Sequence, residues 1–182
     1  MRVSKPLIVA LASVAVAACA GTASTTAEGP SATSPVPPLF ARHTMQAEVN
    51  PAIVGIWDVT NNAMDETGSL DPALISEEQW DGLAASAAEL AAAGDRMATA
   101  RLIRAASPGN WETGEYEVSM DQVQALIDAN PDGFRREAAE FAAMSRELQR
   151  AATARDVETA GTLALNMDQE CAVCHAAYWY GE

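Results

Sequence analysis

Residues 156–175 read DVETAGTLALNMDQECAVCH, and the spacing within them decides the architecture. Asp156 is a helix-capping type, with a short carboxylate that accepts from backbone N–H groups lacking a helical partner. After it Val157, Ala160, Ala164, Met167, Cys171 and Cys174 recur at intervals of three and four, the stripe of one helical face. A helix turns about 100° per residue. Cys171, Cys174 and His175, three and four residues apart, therefore project together from the inward side.

Three more stripes lie upstream. Asn130-Pro131 supplies an N-cap followed by Pro at the first helical position. Phe134, Ala138, Phe141, Ser145, Leu148 and Ala152 continue that helix. Ser76-Glu77-Glu78-Gln79 is a capping box, in which the Ser hydroxyl and the Gln side chain each satisfy a free amide. It opens a helix striped by Trp80, Leu83, Ala87, Leu90, Gly94, Met97 and Arg101, expected to end near Ala106 before Pro108. Met45, Val49, Ala52, Ile56, Val59 and Ala63 form the earliest stripe. Pro51 interrupts it, so that helix either begins at Asn50 or starts near Arg42 and is kinked. Between the second and third stripes, residues 109–118 read as irregular, and a second capping box, Ser119-Met120-Asp121-Gln122, opens a short helix to about Ala129. No strand alternation or Asn-Gly hairpin signal competes. The expected fold is all-α, an up-and-down four-helix bundle with a flexible N-terminal tether.

The N-terminus has a separate character. Arg2 and Lys5 precede an apolar run over residues 6–18, too short to span a bilayer and suited to a signal peptide. Val16-Ala17-Ala18-Cys19 resembles the bacterial lipobox, which implies lipidation of Cys19; the alternative is an ordinary secretory signal cleaved after Ala18 or Ala20. The expected organisation is a signal at 1–18, a flexible linker at 19–40 and a helical domain at 41–182. The linker is Ala, Gly, Ser, Thr and Pro with one charge, Glu28, up to about residue 38. It has too little apolar surface to offset the entropy of ordering. The formal net charge is −14, and more negative without Arg2 and Lys5. Such a surface repels nucleic acid and bare anionic lipid, and steers toward basic partners. Ala20 after the lipidated Cys resembles lipoproteins sorted to the outer membrane, so the expected location is the periplasm, anchored to the envelope.

Cys-Ala-Val-Cys-His carries the chemistry. With an export signal, Cys-x-x-Cys-His reads as covalent c-type haem attachment: Cys171 and Cys174 bind the porphyrin through thioethers and His175 reaches the iron. One haem c per chain is expected. Two other readings use the same residues. A redox disulfide between Cys171 and Cys174 normally stands where a strand leads into a helix, not at a helix C-terminus. A zinc site needs a fourth ligand, and the other His, His43, is distant in sequence. No Ser-His-Asp set, catalytic carboxylate pair or phosphate loop is visible, so an electron carrier is expected rather than an enzyme.

The arrangement resembles the class II cytochromes c, the cytochrome c-prime type, over residues 45–180. Met45-x-x-x-Val49-x-Pro51-Ala52 with Trp57, Glu78-x-Trp80-x-x-Leu83, and Cys171-x-x-Cys174-His175 with Tyr178 resemble an exported subgroup. The resemblance implies a four-helix bundle whose first helix faces the other side of the iron. It also implies either a Met/His haem or a five-coordinate haem with its open face blocked by an apolar side chain. Met45 is the candidate distal iron ligand, and a thioether there favours electron transfer. Core packing is the alternative for Met45, with Ala52, Ile53 or Ile56 over the iron; His43 is a weaker rival ligand. Met97 and Met167 read as core. Trp57, Trp80, Phe134 and Phe141 are expected to wall a haem cavity or fill the core. Tyr178, Trp179 and Tyr180 are expected to pack the last turn against the porphyrin edge or to anchor the C-terminus. Haem propionates often meet Arg, and Arg42, Arg96 and Arg101 could serve, but exposed helix charges are usually only solvated and none is taken as a site. The expected function is electron transfer with redox partner proteins. Capture of nitric oxide or carbon monoxide is the alternative, a haem-free anchored bundle the third reading, and homodimerisation is open.

Overall fold

Both capping boxes form. Ser76 Oγ and Ser119 Oγ accept from the amides of Gln79 and Gln122 at 3.2 Å, while the two Gln side chains accept from the cap amides. Asn130 and Asp156 cap in the same way, accepting from Gly133 N–H at 3.0 Å and Thr159 N–H at 3.1 Å. The structure is a computed structural model that describes residues 36–115 and 117–180. Cys19, the signal segment and most of the linker lie outside the described residues.

In chain order the elements are β1 (Leu39–Phe40), α1 (Ala41–Thr44), a π-helical turn (Met45–Val49), α2 (Asn50–Ala63), a 3₁₀ turn (Pro72–Leu74), α3 (Glu77–Thr99), β2 (Ile103–Arg104), α4 (Met120–Ala129), α5 (Pro131–Ala154), α6 (Val157–His175) and a second π-helical turn (Ala176–Tyr180). The fold is all-α apart from a two-residue parallel ladder joining β1 to β2.

Pro51 has no N–H to donate back along the helix. The chain absorbs this by widening: the Asn50 amide donates to the Met45 carbonyl, five residues back. The helix thus starts at Ala41 and passes through Pro51. α3 stops at Thr99, earlier than its stripe implies. There Arg135 reaches across from α5, Nε donating to the Ala100 carbonyl at 2.8 Å and Nη2 to that of Arg101 at 3.2 Å. The released chain pairs Ile103 with Leu39 and buries Ile103, Ala105 and Ala106. Leu39 and Phe40, at the end of the expected linker, are held by this ladder.

Cross-helix pairs fix the directions. Arg155 after α5 reaches Glu77 and Asp81 at the start of α3, and Arg135 at the start of α5 reaches the end of α3, so these helices are antiparallel. Glu48 pairs with Arg96, and Gly55 faces Ser86, so α2 and α3 are antiparallel as well. The α3–α5 contact is the most extensive. Gly94 makes it close, since a Cβ there would stand 2.8 Å from Ala142 Cβ and 3.0 Å from the Ala138 carbonyl. The stripe residues from Val49 to Ala63, Trp80 to Met97, Phe134 to Ala152 and Ala160 to Met167 are buried. α6 packs extensively on α5 but sparsely on α2.

Candidate functional site

Where α6 stands off from α2, a cavity of about 720 Å³ opens, bounded by the first helix, α5 and α6. α6 brings Cys171, Cys174 and His175 to its wall; the first helix brings Met45, Val49, Ile53 and Trp57; α5 brings Phe134 and Phe141. Two thiols, an imidazole and a thioether from separate helices therefore line one apolar space. A much smaller recess, about 20 Å³, is bordered by Met45, Cys174, His175 and the α4 residues Val123 and Ile127. The short α4 helix thus packs behind the Met45–His175 end of the site.

Burial sets the ionisation of the α6 groups. It pushes the Cys174 thiol up to about 12, with the Glu137 carboxylate the next cause. Burial also raises Cys171, helped by Asp168 and Glu170. Both side chains are free thiols in the structure. Burial pushes His175 downward, so its ring is neutral at neutral pH, with a lone pair for a metal. Trp179 and Tyr180 flank that ring, with centroids at 6.4 Å and 6.1 Å. Tyr178 anchors the turn: its ring meets Phe134 edge-on at 5.3 Å and its hydroxyl donates to the Asn130 carbonyl at 3.2 Å.

The other expected residues separate clearly. Ile53 lines the cavity, whereas Ala52 and Ile56 are buried elsewhere in the core. Met97 is both core and cavity wall; Met167 is wholly buried. Trp80 packs in the core away from the cavity, and His43 is exposed. Of the three arginines, Arg42 is held by Asn110, Glu112 and Glu117, Arg96 by Glu48, and Arg101 is exposed; none lines the cavity.

Four carboxylates escaped the sequence reading. Glu137, Asp168 and Glu170 line the cavity, and Glu137, Glu140 and Glu170 bring oxygens within 4.8 Å of one another. Burial raises Glu170, with Glu140 and Glu137 adding repulsion. Only the register of α5 against α6 unites these residues, and no local pattern encodes it. Among the described residues no helix is long and apolar enough to cross a membrane. No family model, no curated protein and no solved structure matches this chain.

Proposed function

We propose that this protein is a mono-haem c-type cytochrome that transfers electrons at the bacterial cell envelope, built as an up-and-down four-helix bundle of α2, α3, α5 and α6. The observation that carries the reading is the shared wall: Cys171, Cys174 and His175 line the same large apolar cavity as Met45 from another helix. The residues fit a haem. The volume lies in the range of roughly 300–1,000 Å³ that small-molecule and cofactor sites occupy. Two thiols and a neutral imidazole stand three and four residues apart on one helix face. Cys171 and Cys174 would each add S–H across a vinyl group, the sulfur bonding one carbon and the hydrogen going to the other. His175 and Met45 would be the residues that hold the iron. The haem would supply a one-electron couple; the chain supplies a rigid, largely apolar enclosure around it.

Cys171 and Cys174 are half-buried, and their surroundings disfavour the thiolate that the disulfide-exchange alternative needs. One observation favours a second haem reading. Ile53 lines the cavity from the same helix as Met45. An aliphatic side chain over the iron would leave it five-coordinate and open to small gases. Export, lipidation at Cys19, an outer-membrane anchor and docking to basic redox partners complete the proposal. They follow from residues 16–20 and the net charge of −14.

The test is intact mass and visible spectrum of protein exported from a host competent in cytochrome maturation. One haem retained after denaturation is expected, and none in Cys171→Ser/Cys174→Ser. A low-spin reduced spectrum that becomes high-spin in Met45→Ala supports electron transfer. A high-spin wild type that shifts with carbon monoxide supports gas binding. Colourless wild-type protein ends the haem reading.

A further inference from the structure

We propose that residues 107–115 with Glu117 form a strap that fixes the Met45 turn, with Arg42 and Gln46 as its positioning residues; its consequence for iron ligation rests on the haem reading above. Met45 opens a π-helical turn preceded by α1, which has only four residues. The turn lies close to the N-terminal end of the first helix, where helices fray, and π geometry is uncommon within helices. Contacts from outside the helix add to its hold.

Arg42 in α1 and Gln46 in the π-helical turn lie on either side of Met45 in the chain. The Arg42 side chain is only 11 % exposed, unlike an ordinary surface cation. Its Nη1 donates to the Glu112 carbonyl at 2.6 Å and the Asn110 carbonyl at 3.4 Å, and its Nη2 to Glu117 Oε2 at 3.2 Å. The same Glu117 oxygen accepts from Gly114 N–H at 3.1 Å, so the loop closes on itself beside the guanidinium. Gln46 Oε1 accepts from Asn110 Nδ2 at 3.0 Å. The planar fork suits this spread of acceptors; a Lys ammonium does not.

Both ends of the strap are tied down as well. Before it, Arg42 N–H donates to the Ala105 carbonyl at 2.9 Å, and Ala105 N–H donates to Gln124 Oε1 of α4 at 2.9 Å. After it, α4 places Val123 and Ile127 beside Met45 and His175 in the small recess. The insertion beyond the long helices therefore has a job: it grips the Met45 turn from outside the cavity.

Amide hydrogen exchange on exported mature protein tests the strap directly, with or without haem. Removing charge-assisted bonds in Arg42→Gln should speed exchange at the Asn50 amide, which bonds Met45, by about tenfold or more. Asn110→Ala changes no charge and should act in the same direction. Unchanged exchange of the Ser145 and Leu148 amides in α5 shows that the variants remain folded. In haem-loaded protein both variants should also lose low-spin fraction. Unchanged Asn50 exchange in both variants overturns the strap. Loss of low-spin character in Met45→Ala, with neither strap variant affecting it, overturns the positioning role while the haem reading stands. Haem-free wild type defeats the haem reading, yet the exchange result still decides the strap.

Discussion

Ile53 and Ile56 lie one turn apart on α2, and comparing them separates a wall that waits for an occupant from filled core. Ile56 is fully buried, whereas Ile53 is 4 % exposed and borders the cavity. Truncation to Ala removes the same atoms at each site and changes helix propensity equally, so those contributions cancel. Three lost carbons at about 0.8 kcal/mol each give roughly 2.4 kcal/mol of transfer free energy. At Ile56 a new void adds to this, taking the cost toward the upper part of the ~2–5 kcal/mol seen for large-to-Ala changes. At Ile53 the space already exists and one side of the chain has no dispersion partners to lose, so the cost should be about 2 kcal/mol or less. The measurement is urea unfolding followed by helical circular dichroism in the haem-free Cys171→Ser/Cys174→Ser background. Expected there is a gap of about 2 kcal/mol, or roughly 4–8 °C in Tm for a domain of this size. With haem attached, Ile53 gains partners and the gap should narrow to below about 1 kcal/mol. Equal costs in the haem-free protein would refute the cavity, and an unchanged Ile53 cost on loading would refute its occupation.

Two further predictions concern the frame around the site. A Cβ at Gly133 would run into the Asn130 side-chain amide and the Tyr178 hydroxyl, so Gly133→Ala should break the Tyr178–Asn130 bond and cost about 1–3 kcal/mol by overpacking. Tyr178→Phe should cost only about 1 kcal/mol; equal losses in urea titrations would contradict the steric cause. The Thr159 side chain and backbone amide hold the Asp156 carboxyl below its ordinary 3.8. A depressed folded pKa stabilises fully above the unfolded value and is lost as pH falls through the folded one. Wild type and Asp156→Asn should therefore differ by a constant amount at neutral pH and converge below pH 3.8. A stability gap that persists unchanged into acid would show that charge at this cap does not matter.

Helix existence was legible because each stripe meets a local start signal. Ser76, Ser119, Asn130 and Asp156 all cap the helices their sequence context marks, and most stripe positions are buried, Arg101 being exposed and Met45, Val157, Cys171 and Cys174 half-buried. Boundaries set by distant side chains were not legible. α3 ends at Thr99, where the chain turns and Arg135, some 35 positions on, donates to the Ala100 carbonyl. The stripe instead continues formally to Arg101. The local consequence of Pro51 was readable as a choice between two starts, but the π-helical turn that resolves it depends on a carbonyl five residues back.

The site divides along the same line. Cys171, Cys174 and His175 come from one helix, where spacing alone dictates a shared face, and all three reach the cavity. Met45 comes from a helix more than a hundred residues earlier, and its stripe could specify only an inward direction. Its arrival at the same cavity depends on how the first helix sits across from α6. The carboxylates of Glu137, Asp168 and Glu170 show the converse. They look like solvated helix charges in sequence, yet the α5–α6 register brings them to an apolar wall, where burial raises Glu170. Negative charge at that wall stabilises the more positive state of whatever the cavity holds. For an iron porphyrin that is the oxidised state, so these carboxylates would lower its potential while a Met45 thioether raises it. The balance between the two lies in packing across helices, and no single stretch of sequence contains it.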